Sequence, residues 1–77
     1  MAVMSKPPLT RREREIMDHV VQGQRNADIA RSLYITVGTV KRHLDHAYAK
    51  LGARSRTEAV ARYAEIEIAE MSDSDDM

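Results

Sequence analysis

Two blocks of apolar residues at helical spacing, separated only by Tyr34-Ile35-Thr36, occupy the middle of the chain from Asn26 to Leu51 (NADIARSLYITVGTVKRHLDHAYAKL). In the first block Ala27, Ile29, Ala30 and Leu33 share one helical face, with Asp28, Arg31 and Ser32 mostly opposite. In the second, Val40, Leu44, Ala47, Tyr48 and Leu51 recur at three- and four-residue steps and make one apolar stripe. Aromatic and β-branched residues between Tyr34 and Val40 favour a strand by raw propensity. Two arguments override that. Thr36 is a good N-cap with helical spacing starting just after it, and a strand here has no second strand to pair with. The stretch therefore reads as two helices joined by a tight turn.

The polar residues of the second helix carry the functional reading. Thr39, Lys41, Arg42, Asp45, His46 and Ala49 lie off the apolar stripe. Short or basic residues there suit a helix entering a major groove, and the free N–H groups of its first turn suit a phosphate. Gly38 removes a side chain from that turn and lets a sugar-phosphate backbone come close. Asp45 has two readings: it accepts from cytosine N4, or it repels phosphate and lowers non-specific binding. His43, at the edge of the stripe, reads as a packed, hydrogen-bonded residue rather than a base reader.

The flanks supply supporting helices. Thr10-Arg11-Arg12-Glu13 fits a capping box, and Ile16, Met17, Val20 and Val21 form the stripe of a helix that Gly23 ends in the left-handed region. Leu9 is the expected first buried residue, and Arg11, Arg12 and Arg14 read as a solvated basic turn. Asn26 is the expected N-cap of the second helix, and Gly52 the stop of the third. Ser55-Arg56-Thr57-Glu58 is a second capping box that opens a fourth helix. In that helix Ala59, Val60 and Tyr63 cover the core. Its wide stripe leaves two readings open: a support with one buried face, or a second face of Ala61, Ala64 and Ile68 against a partner chain. The expectation is an all-α, four-helix domain over residues 9–70, with helices at about 11–22, 27–33, 37–51 and 56–69. Residues 1–8 read as a flexible lead set off by Pro7-Pro8, and residues 71–77 as an acidic disordered tail.

Composition narrows the function classes. A chain of 77 residues is one domain at most. The absence of cysteine excludes disulfides and thiolate zinc sites and suits a reducing cytoplasm. No apolar run approaches the ~20 residues that span a bilayer, and the first eight residues lack the apolar core of a signal peptide. His43 and His46 form an i, i+3 pair, but two ligands on a basic helix make a weak metal site, and neither Lys50 nor Ser55 has a base partner. No enzyme, metal or cofactor is expected. Formal net charge is zero, yet unevenly placed: through Ala64 twelve cations face six acids, a net +6, and the last thirteen residues hold six acids and no cation, a net −6. A basic body with an acidic tail suits a nucleic-acid partner.

These residues resemble the LuxR-type (GerE-type) helix-turn-helix domain of bacterial transcription regulators. The likeness is carried by Leu9-Thr10-Arg11-Arg12-Glu13-Arg14-Glu15, Gly23, Asn26, Ile29-Ala30, Leu33, Thr39-Val40-Lys41, His43, Lys50-Leu51-Gly52 and Arg54-Ser55-Arg56-Thr57-Glu58-Ala59-Val60. It covers about Leu9 to Ala64 in register. It implies a third helix that reads the major groove of double-stranded DNA, with Lys41, Arg42 and Asp45 facing bases and Val40 near thymine methyls. It implies phosphate contacts at Asn26, Thr36, Thr39 and Lys50, to which Arg25 is added as a loop cation beside Asn26. It also implies a homodimer through helix four, acting in the cytoplasm. Val37, Ala47, Tyr48, Asp45 and the acidic tail depart from the family pattern. Many members carry this domain behind a receiver or ligand-binding domain; the initial methionine without an upstream linker leans towards a stand-alone regulator. Two other readings stay open: the fourth region of a small sigma-like factor, against which the Gly52 to Val60 segment speaks, and a protein-interaction module contacting RNA polymerase or another regulator.

The tail generates a test of its own, between a solubilising role and a fold-back onto the basic body. If it folds back, deleting Met71 to Met77 raises affinity for random DNA at low salt; unchanged affinity in a titration discards the fold-back.

Overall fold

Capping chemistry sets where each helix starts. The computed structural model describes residues 9–75, with side chains through residue 68. It contains α1 (Arg11–Val21), α2 (Asn26–Leu33), α3 (Val37–Leu51) and α4 (Arg56–Asp75), and no strand among the described residues. None of these helices is long and apolar enough to cross a membrane. Thr10 forms the expected box: its hydroxyl accepts from the Glu13 amide at 3.1 Å and its amide donates to Glu13 Oε1 at 2.9 Å. Thr36 caps α3, accepting from the Thr39 amide at 3.1 Å. Gly23 and Gly52 take φ of +87° and +69°, so both helices end where a left-handed residue turns the chain away.

Several boundaries differ from expectation. Arg25, not Asn26, is the extended cap residue of α2, and Asn26 is the first helical residue. The reason lies on the other side of the cap, where Asp28 accepts the Arg25 amide at 3.4 Å and supplies the local bond without an Asn side chain. In the second box Ser55 caps the Glu58 amide at 3.1 Å as expected, but Glu58 reaches the Arg54 amide at 2.7 Å, one residue beyond the cap. Helix α4 continues to Asp75 instead of ending near 69, so the backbone of residues 71–75 is helical where a disordered tail was expected. The expected flexible lead, residues 1–8, lies outside the described residues, as do residues 76–77.

Helix α3 touches all three other helices and forms the centre of the domain. The core consists of Ile16, Met17 and Val20 of α1, Ile29 and Ala30 of α2, Val40, Leu44, Ala47 and Leu51 of α3, and Ala59 and Tyr63 of α4. Leu9, Leu33, Tyr48 and Val60 are half-buried around it. Val21 and Ala27, expected on buried stripes, are exposed, because each lies past the edge of the arc its short helix buries.

Two polar braces tie the helices together. The hydroxyl of Tyr63, a core residue, donates to Asp18 Oδ1 at 2.8 Å and links α4 to α1. Burial and the Asp18 carboxylate push the Tyr63 phenol well above its usual pKa. Glu13, only 3% exposed, receives both the Thr10 amide and Lys50 Nζ on one oxygen, the latter at 2.9 Å. That pair joins the first turn of α1 to the last turn of α3.

Burial alone would raise the Glu13 pKa, but the Thr10 hydrogen bonds and the Lys50 charge outweigh it and hold the carboxyl below its ordinary value. A depressed folded-state pKa contributes stability above the unfolded value, and that contribution disappears as pH falls through the folded value. Glu13→Gln is therefore expected to cost roughly 1–2 kcal/mol at neutral pH in denaturant unfolding. The gap from the parent should close as pH drops below about 4.5. A gap that stays constant down to acid pH contradicts this assignment.

Candidate nucleic-acid interface

The apolar stripe of α3 faces inward, and this decides what its other face presents. Val37, Gly38, Lys41, Arg42, Asp45, His46 and Ala49 are all exposed. Lys41, Arg42, Asp45 and His46 make no hydrogen bond or ion pair with any described residue. Three other cations are held within their own helices: Arg12 by Glu15 at 3.0 Å, Arg31 by Asp28 at 3.4 Å and Arg62 by Glu58 at 3.4 Å. Charges left without internal partners remain available to an external one. The described residues contain no cluster of three His, Cys, Asp or Glu able to hold a metal ion.

At the start of α3 the Thr36 and Thr39 hydroxyls lie 3.0 Å apart, Thr36 exposed and Thr39 half-buried. A Cβ added at Gly38 would meet only Thr36 Oγ1, at an ordinary 3.8 Å. Packing within the protein therefore does not require glycine there. Near the start of α2, Arg25 is exposed and Asn26 half-buried. The Asn26 Oδ1 accepts from Arg56 Nη1 at 3.0 Å, and Arg56 Nη2 also donates to the Gln24 carbonyl.

Two expected contact residues are corrected. Val40 is 0% exposed, so its methyls belong to the core and cannot approach a thymine methyl while the domain is folded. Lys50 does not present a free ammonium to phosphate: Glu13 holds it at 2.9 Å, with the side chain 31% exposed. His43 is half-buried as expected but has no hydrogen-bond partner among the described residues. On α4, Ala61 is exposed, Ala64 half-buried and Ile68 63% exposed.

Sequence reasoning missed two features. Tyr34 ends α2 in the left-handed region with φ 59° and is 94% exposed. A glycine or asparagine would have signalled that conformation; a tyrosine does not. The Arg56 clamp was also missed, since its two ends lie thirty residues apart in sequence.

The family model for bacterial regulatory proteins of the luxR family, GerE, matches residues 7–63. The chain is 42% identical over 67 residues to the spore germination protein GerE of Bacillus subtilis (strain 168), covering 83% of this chain and 90% of that protein. It is 45% identical over 53 residues to the CsgBAC operon transcriptional regulatory protein of Escherichia coli (strain K12), covering 69% of this chain and 24% of that one. Among solved structures, the response regulator ChrA of a heme-sensing two-component system superposes with a TM-score of 0.74 at 39% identity, over 80% of this chain and 31% of that chain. The chain thus spans most of one relative and a minor part of the other two. With a matching family model, a helix-turn-helix core and an exposed basic face on α3, the chain belongs to the LuxR family of bacterial regulatory proteins and is a DNA-binding transcription regulator.

Proposed function

We propose that α3 lies in the major groove of double-stranded DNA, with Lys41, Arg42 and Asp45 against base edges. The observation that carries this reading is the unpaired, exposed state of these three residues on a helix whose opposite face is the core. Lys41 and Arg42 donate to guanine O6 and N7, and the Asp45 carboxylate, which has acceptors and no donor, takes the cytosine N4 amino group. Arg25, Asn26, Thr36 and Thr39 hold phosphates on either side, through side-chain donors and the free amides of two helix starts. The open space at Gly38 supports a close approach of the sugar-phosphate backbone there. Ala61, Ala64 and Ile68 supply a homodimer contact along α4, for which the exposure of Ile68 is the supporting feature. The regulator acts on DNA in the cytoplasm.

Lys41→Ala is expected to weaken binding to a selected operator by about tenfold or more, the value of one good base contact. Equal affinities of parent and variant in a direct titration remove α3 from the groove. The log of the affinity should fall steeply and linearly with log salt. Gly38→Ala separates fold from function. It is expected to leave the domain as stable or up to roughly 1 kcal/mol more stable, while DNA affinity falls. Unchanged affinity argues against a close backbone approach at that turn.

A further inference from the structure

We propose that Arg56, which α4 contributes, is a positioning residue: it orients the Asn26 amide so that its N–H donors face a DNA phosphate at the start of α2. The inference rests on the phosphate role of Asn26 proposed above. It adds which atom of Asn26 meets the phosphate and what holds it there.

A guanidinium has donors and no acceptor, so the Asn26 atom 3.0 Å from Arg56 Nη1 is the carbonyl oxygen Oδ1. The flipped amide would set donor against donor. Oδ1 is thereby held towards Arg56, and Nδ2, the other end of the same planar group, is left with no partner among the described residues. Asn26 is the first residue of α2, where the backbone amides of residues 26 to 28 precede the first helical bond, from the Ile29 amide to the Arg25 carbonyl at 3.0 Å. Nδ2 thus joins a set of donors at the positive end of a helix. An untethered asparagine would rotate, and in one of its two orientations it would turn a carbonyl oxygen towards the phosphate.

Arg56 is itself held. It is half-buried, and its second nitrogen donates to the Gln24 carbonyl. Gln24 is tied in turn to the end of α1: its Oε1 lies 2.7 Å from His19 Nδ1, and its amide donates to the His19 carbonyl at 3.2 Å. Three elements, the end of α1, the loop before α2 and the start of α4, therefore converge on the orientation of one amide.

The test is a double-mutant cycle of Asn26→Ala and Arg56→Met. Affinity for a short synthetic duplex of arbitrary sequence is measured by fluorescence anisotropy across a salt series. Thermal melts fix a temperature at which all four proteins are folded. Each single variant is expected to bind about three- to tenfold more weakly, the range of one net hydrogen bond. The double variant should bind no more weakly than either, because Arg56 acts only through Asn26. The salt slope of the Arg56 variant should stay at the parent value, since a neutral amide releases no counterion. Multiplicative losses, or a slope shallower by about one, overturn the proposal and make Arg56 a direct phosphate contact or a general support. Asn26→Ala without effect removes the phosphate contact at α2, and the proposal falls with it. Should Arg56→Met not fold, Arg56→Lys replaces it, and the Asn26 side-chain amide is followed by NMR. In the parent protein its resonances shift on adding duplex, and in the lysine variant that shift is expected to shrink. An equal shift in both proteins overturns the proposal.

Discussion

Burial of one face of α3 is the constraint from which the functional surface follows. Val40, Leu44, Ala47 and Leu51 are all inside the core, and each such side chain is worth roughly 1–3 kcal/mol depending on its size. A helix with its apolar arc held by three neighbours cannot turn about its own axis without exposing that arc. Lys41, Arg42 and Asp45 then project outward because their positions lie between the buried ones in the helical period. The same constraint that places those residues outside places Val40 inside.

A domain this small has little apolar area to hold its helices, so polar braces do part of that work. Glu13 is the one buried charged residue among those described, and one of its carboxylate oxygens accepts from both Thr10 and Lys50. Removing either partner would leave a carboxylate under a nearly closed surface, which costs far more than the pair contributes. Tyr63 plays a comparable part from α4, with its ring filling the core and its hydroxyl satisfied by Asp18 at the rim. Each brace connects α1 to a helix far away in sequence, so α1 serves as the frame against which α3 and α4 are set.

The division of surface charge follows from the same geometry. Arg12, Arg31 and Arg62 each have an acid one turn away on the same helix, and such pairs at the surface contribute little to stability but leave a cation less available. The cations of α3 have no such pairing, although Asp45 stands at helical spacing from both Lys41 and Arg42. Lys41, Arg42 and Asp45 are thus left without a partner among the described residues, unlike Lys50 on the same helix, which Glu13 holds.

Helical period, capping boxes and the glycines that end α1 and α3 were legible in the chain alone, because each depends on residues within four positions of one another. They established the four helices, the inward stripe of α3 and the outward Lys41, Arg42 and Asp45. What tertiary structure decided is the fate of residues with more than one use. From the chain alone Val40 reads both as part of the apolar stripe and as a thymine contact, Lys50 as a phosphate contact, and Asn26 as a cap and a phosphate contact; the fold buries Val40, pairs Lys50 and clamps Asn26. Those choices depend on Glu13 and Arg56, which lie at least thirty positions away in the chain and within hydrogen-bonding distance of Lys50 and Asn26 once the helices are assembled. Short-range periodicity carries no information about such distant neighbours, so only the folded arrangement assigns each group its partner.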